Sequence, residues 1–192
     1  FHIQTMFVDN IRIFARAGKG GNGLVSFRRA KFVPKGGPDG GDGGDGGSVI
    51  LEVDPHTNDL RSFFYDPKLI ATDGVGGQSA KKHGKNGKSV IGKVPPGTII
   101  YRSNASSMAE ATWLEREGEG IELEKIADLT EIGTRFTLCQ GGLGGKGNWH
   151  FRSATNQAPT EAEMGTEGEE GVFFMELRRI ADAGLVGYPK AG

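Results

Sequence analysis

Residues 36 to 47 read Gly-Gly-Pro-Asp-Gly-Gly-Asp-Gly-Gly-Asp-Gly-Gly, with eight glycines in twelve positions and Asp-Gly-Gly repeated three times from Asp39 to Gly47. Glycine loses more backbone freedom on ordering than any other residue and brings no side chain to bury. A flexible linker would use glycine with serine and would need no register. Here the register is three, which is the period of the polyproline II helix, whose backbone makes no hydrogen bonds of its own. In that geometry Asp39, Asp42 and Asp45 share one edge and the other two edges are bare. Bare edges let further extended chains come into backbone contact, as glycine does at the collagen axis. Collagen itself is excluded, because the triplets stop at Val49 and a long Gly-X-Y run is absent.

The period recurs. Glycines three apart occur at 18/21 and 20/23, at 84/87, and at 141/144/147 and 142/145. Separated segments with one unusual period predict a bundle of mutually packed extended chains. Around them lie short β-rich runs: Val8 to Ala17, Leu24 to Phe27, Ser48 to Asp54, Ser89 to Val94, Thr98 to Arg102, Gly120 to Ile126 and Arg135 to Gln140. Asp59 to Tyr65 reads as a strand or turn with Phe63, Phe64 and Tyr65 in the core. Only Ser107 to Glu117 and Phe174 to Ala181 have helical character, the second equally readable as a strand. Short strands between turns favour a mainly β barrel or sandwich over a β-α alternation.

The net charge of −1 hides a segregation. Asn10 to Pro38 holds seven basic residues and no acid, and Gly74 to Ile100 five lysines and no acid, whereas eight acids lie between Glu110 and Glu131. This pattern can give a neutral protein a basic face. One cysteine, Cys139, rules out an internal disulfide and a cysteine-rich metal site, and fits a reducing cytoplasm. No apolar run approaches the roughly 18 residues that span a membrane. Phe1 to Thr5 precedes Met6 and lacks a signal peptide's charged and apolar regions, as an extension or tag remnant would.

Several motif matches fail on context. Gly18-x-Gly-x-x-Gly23 fits the dinucleotide fingerprint, but no helix follows it. Gly87-Lys-Ser89 lacks the first glycine of a P-loop, since residue 82 is lysine. Gly40 to Asp45 opens like a calcium-binding nonapeptide repeat without stacked copies. His56, His83 and His150 show no paired ligand spacing. Trp149, His150 and Phe151 beside Arg152 could stack on RNA bases or fill the core. At the end, Leu185-Val186 precedes Gly187-Tyr188-Pro189-Lys190-Ala191-Gly192, a Gly-x-x-x-x-Gly without the following Lys-Ser/Thr.

Phe7-Val-Asp9, Ala17-Gly-Lys-Gly-Gly-Asn-Gly23, Ser26-Phe-Arg-Arg29 and Pro34-Lys-Gly-Gly-Pro-Asp-Gly-Gly-Asp-Gly-Gly44 together resemble the N-terminal domain of Obg GTPases. Val94-Pro-Pro-Gly-Thr98, Gly141 to Asn148 and Ala181 to Pro189 continue the resemblance in family order, so that it covers Met6 to Gly192. It implies the Obg fold: mainly β, with a bundle of glycine-rich left-handed type II (polyproline-like) helices on a small β-barrel. It divides the chain into an extension at 1–5, an Obg domain at 6–180 and the start of a GTPase domain at 181–192, where Gly187 to Gly192 form part of the nucleotide-binding P-loop. It implies GTP and Mg²⁺ as ligands of the full-length protein, with no catalytic residue, metal site or cofactor in this chain alone. It also implies a cytoplasmic monomer that binds the large ribosomal subunit and its rRNA during assembly and takes part in growth and stress control.

The RNA contacts expected from the basic runs are Arg28, Arg29, Lys31, Lys35, Lys81, Lys82, Lys85, Lys88 and Lys146. A competing reading is a stand-alone module that docks a stress-response protein through the acidic Glu110 to Glu131 face. Two positions depart from the family pattern. Ala30 stands where glutamate is usual, and Lys190 stands where an asparagine often helps hold potassium, so its ammonium is expected to replace that ion.

Overall fold

In a computed structural model, which describes residues 10–117 and 120–178, each glycine-rich segment is the continuation of a β-strand. Strand β1 (Asn10–Arg16) runs on into 17–26, and the 37–48 segment returns into β2 (Val49–Val53). After helix α1 (Arg61–Tyr65), β3 (Lys68–Ile70) leads into 72–78, and 82–88 returns into β4 (Val90–Val94). Then follow β5 (Thr98–Ser103), helix α2 (Met108–Glu117), β6 (Leu123–Leu129) and β7 (Arg135–Cys139). Strand β7 leads into 140–148, and 163–169 returns into β8 (Glu170–Leu177). Three extended segments therefore leave the sheets and three come back.

Their hydrogen bonds keep the period of three. Gly18, Gly21 and Leu24 donate to the carbonyls of Gly47, Gly44 and Gly41 at 2.8, 2.8 and 3.0 Å. Gly43 and Gly46 donate to Gly145 and Gly142, and Gly41, Gly44 and Gly47 to Gln78, Val75 and Thr72. Gly84 and Gly87 donate to Asp42 and Asp45. The torsions φ −70° and ψ 165° at Gly147 lie in the polyproline II region. Ten residues at about 3.1 Å each extend the bundle about 30 Å from the sheets.

The sheets have order β3-β1-β8-β5-β6 and β4-β2-β7, with β1/β3 and β2/β4 parallel and the other pairs antiparallel. Alternation explains the shared core: Ile13 and Ala15, Val49, Leu51 and Val53, and Phe173, Met175 and Leu177 all point into it. The outer face of the larger sheet is covered by α2, with Ala111 and Leu114 against Phe14, Val172 and Phe174. Ser107 Oγ accepts from the Glu110 amide while the Glu110 carboxylate accepts from the Ser106 amide, a variant of the capping box that fixes where this helix starts. Cys139 lies in the core, where burial pushes its thiol up to about 12.

The mainly β class and the extended bundle agree with the sequence. The ladders among the described residues make two facing sheets, without closure into one barrel. Leu24 to Phe27 is not a strand. Leu24 keeps the three-residue rhythm of the bundle, and Phe27 forms only an isolated bridge to Pro38. Asp59 to Tyr65 contains a short helix whose single inward face buries Phe63, leaving Phe64 and Tyr65 53% and 77% exposed rather than in the core. Phe174 to Leu177 belong to strand β8, its side chains shared between the core and α2, and 179–181 lie outside the described residues. No helix among the described residues is long and apolar enough to cross a membrane.

A Cβ on Gly43 would overlap the carbonyl of Gly21, whereas one on Gly37 meets nothing nearer than Arg152 Nη1 at 3.9 Å. Gly43→Ala should therefore cost at least about 3 kcal/mol, since backbone cannot move aside as a side chain can. Gly37→Ala should be neutral or stabilise by about 0.5 kcal/mol. Urea denaturation of the two variants measures the contrast.

Candidate nucleic-acid interface

Because every extended segment starts or ends at a sheet, its other end lies at the far tip. Three connections meet there: 27–36, 79–81 and 149–162. The first carries Arg28, Arg29, Lys31 and Lys35, and the second carries Lys81 beside Lys82. Asp39 holds these two together. Its amide donates to Ser26 O, its carbonyl accepts from the Lys81 amide at 2.7 Å, and its Oδ2 accepts from the Ala80 amide at 3.1 Å. Between the two connections is a cleft of about 740 Å³ lined by Phe27, Arg28, Arg29, Ser79 and Ala80 among others.

The third connection is tied in by Asn148, a fully buried side chain absent from the sequence-based candidates. Its Oδ1 accepts from the Gly40 amide at 2.9 Å, and its Nδ2 donates to Ser26 O and Pro159 O, both at 3.0 Å. One residue on, Trp149 stacks on His150 with ring centroids 3.8 Å apart, and Lys81 Nζ lies 5.0 Å from the indole centroid. His150 Nε2 is 2.8 Å from Asp42 Oδ2, while Asp42 Oδ1 accepts from the Gly147 amide. Burial pushes the Asp42 carboxyl up, but the Gly147 amide and His150 outweigh it and hold the group below its ordinary 3.8. Trp149 and Phe151 are half-buried, so the tip, not the core, takes these aromatics.

All nine basic candidates are exposed, and none takes part in an ion pair among the described residues. The structure brings Arg28, Arg29, Lys31, Lys35, Lys81 and Lys82 to the tip, with Lys146 just below it. Lys85 and Lys88 lie further down, on the edge of the 82–88 segment that also carries Lys82. That segment bonds only to 37–48 and 72–78, whereas 163–169 bonds only to 17–26 and 140–148. The two are opposite flanks, one lined by Lys82, Lys85 and Lys88 and the other by the exposed Glu163, Glu167 and Glu169. Among the described residues, the non-glycines with positive φ are Phe32 (68°), Ala80 (59°) and Lys81 (57°), and all sit at the tip. Backbone strain of this kind gathers at functional sites.

The described residues contain no group of three or more potential metal ligands. Gly187, Tyr188, Pro189, Lys190, Ala191 and Gly192 lie outside the described residues.

A GTP1/OBG family model matches residues 8–179, the span that holds the sheets, the glycine-built stalk and its tip, and the chain belongs to that family. Relatives named GTPase Obg include one from Methylacidiphilum infernorum, 49% identical over 97% of this chain and 52% of its own length. Those from Chlorobium chlorochromatii and Clostridioides difficile are 50% and 46% identical over 97% of the chain, and 50% and 40% of their lengths. The chain thus spans about half the length of the curated relatives it matches.

Asn148→Ala leaves the Gly40 amide and the Pro159 carbonyl unpaired and takes one of two donors from the Ser26 carbonyl, and should cost about 2–4 kcal/mol in denaturant unfolding. The depressed Asp42 carboxyl contributes stability that is full above 3.8 and lost as pH falls through its lower folded value. The melting temperature of Asp42→Asn should accordingly fall less than the wild type's between pH 5 and pH 3, as read by calorimetry.

Proposed function

We propose that this chain is the ribosome-binding part of an Obg-type GTPase acting in large-subunit assembly and in growth and stress control. The observation that carries the reading is the stalk tip, where three connections gather exposed cations about 30 Å from the sheets. Such a tip can enter a crevice in RNA, with phosphate attraction supplying the affinity. Family membership supports GTP hydrolysis by the full-length protein, with Mg²⁺ as its ion. In that protein Gly187 to Gly192 would offer backbone amides to the phosphates. We assign the GTP hydrolysis to the full-length protein. A cytoplasmic monomer completes the reading.

A second reading draws on α2, where Trp113 is 51% exposed beside Glu110 and Glu117. This acidic, aromatic face suits a basic protein partner, such as a stress-response protein, and leaves the tip free.

Replacing Arg28 and Arg29 together by alanine should weaken binding of the full-length protein to large subunits. It should also reduce the slope of log K against log salt by about 2, one for each phosphate that the variant no longer neutralises. Co-sedimentation across a salt series measures this, and an unchanged slope would remove the tip from the interface.

A further inference from the structure

The feature of the tip left unexplained by phosphate attraction is Phe32. It is the third residue of the turn Ala30–Val33, closed by the Val33 amide on Ala30 O at 3.1 Å, and its φ is 68°. Turns with positive φ at this position take glycine, and a bulky residue there is an outlier. The chain has 33 glycines and uses one at each of the left-handed positions 97, 120 and 133. At this position it has instead an aromatic ring that is 89% exposed. The fold gains nothing from that ring, which has no partner in the core, while the backbone bears the strain. Lys31 Nζ lies 5.2 Å from the ring centroid, and Arg28, Arg29 and Lys35 flank the same turn.

We propose that Phe32 is a stacking platform for an unpaired RNA base, with the neighbouring cations holding the phosphates on either side. The inference rests on the RNA reading above and names the part of the RNA that the tip takes. An exposed π-face accepts any base, and duplex RNA offers none because its bases are already stacked. A lipid surface is the other partner that suits cations beside an aromatic ring. Interfacial binding, however, scales with buried apolar area, and here one fully exposed ring stands among four cations. Charge and geometry favour the nucleic acid.

The test uses the full-length protein and a short single-stranded RNA carrying 2-aminopurine, with the matching duplex as control. Phe32→Ala should weaken single-strand binding about ten-fold and abolish the quenching of 2-aminopurine that stacking produces. Duplex binding should change less than about two-fold, since phosphate attraction does not involve the ring. Phe32→Trp should retain both affinity and quenching. Phe32→Gly should lose them while its thermal midpoint stays within about 2 °C, because relief of strain offsets the added freedom of the unfolded chain. That variant separates loss of binding from loss of fold. Equal losses on single strand and duplex, or no loss for Phe32→Ala, would overturn the stacking role and leave the RNA reading standing. Absence of any RNA binding by the wild type would overturn both. Phe32-dependent binding to phosphatidylcholine vesicles containing phosphatidylglycerol, without Phe32-dependent RNA binding, would overturn it in favour of a membrane.

Discussion

Backbone touching backbone is the constraint on which the rest of this structure depends. A polyproline II chain satisfies none of its own amides or carbonyls, so each one shut off from water must find a partner on a neighbouring chain. Direct contact requires an edge without Cβ atoms. Segments with four neighbours have two glycine edges, and segments with two neighbours have one. The 37–48 segment bonds to four others and has two full glycine edges, whereas 82–88 and 163–169 bond to two each and have one, at Gly84/Gly87 and Gly165/Gly168. The aspartate edge takes part as well: Asp42 and Asp45 accept the amides of Gly147 and Gly144, each at 2.8 Å. A hydrophobic core is unnecessary in such a bundle, because hydrogen bonding and close approach hold it together.

The facing sheets supply what the bundle lacks. They bury apolar side chains in the ordinary way, and by running strand into segment they set the height and phase of all six extended chains. With the shaft fixed from below, the tip connections are free of packing duties. They can hold left-handed phenylalanine, alanine and lysine, and exposed cations, none of which the shaft would tolerate. Opposite charge on the two flanks then gives the shaft a preferred side toward a polyanion.

Much of this is legible in the sequence, and the limits have physical causes. A double glycine edge is unmistakable, so 18/21 with 20/23, the 36–47 run and 141–147 announce themselves. A single edge looks like any loop glycine, which is why 72–78 and 163–169 do not stand out. The basic candidates follow from charge segregation, but their convergence depends on which connections share an end of the bundle, a property of topology. Asn148 shows nothing beyond ending a glycine run, since its importance comes from three partners far apart in sequence. Phe64 and Tyr65 mislead because hydrophobicity predicts burial only when a second face is available, and α1 has one.

The period of three also governs how such a chain can change in length. An extra residue in a sheet-borne segment rotates everything beyond it by a third of a turn, bringing Asp42 to where Gly43 meets the carbonyl of Gly21 and Asp45 to where Gly46 meets that of Gly18. Insertions and deletions are therefore admissible in the shaft only as whole triplets, matched in the segments alongside. The tip connections obey no such arithmetic. Over generations the reach of this stalk is quantised, while what it presents at its end is free to vary.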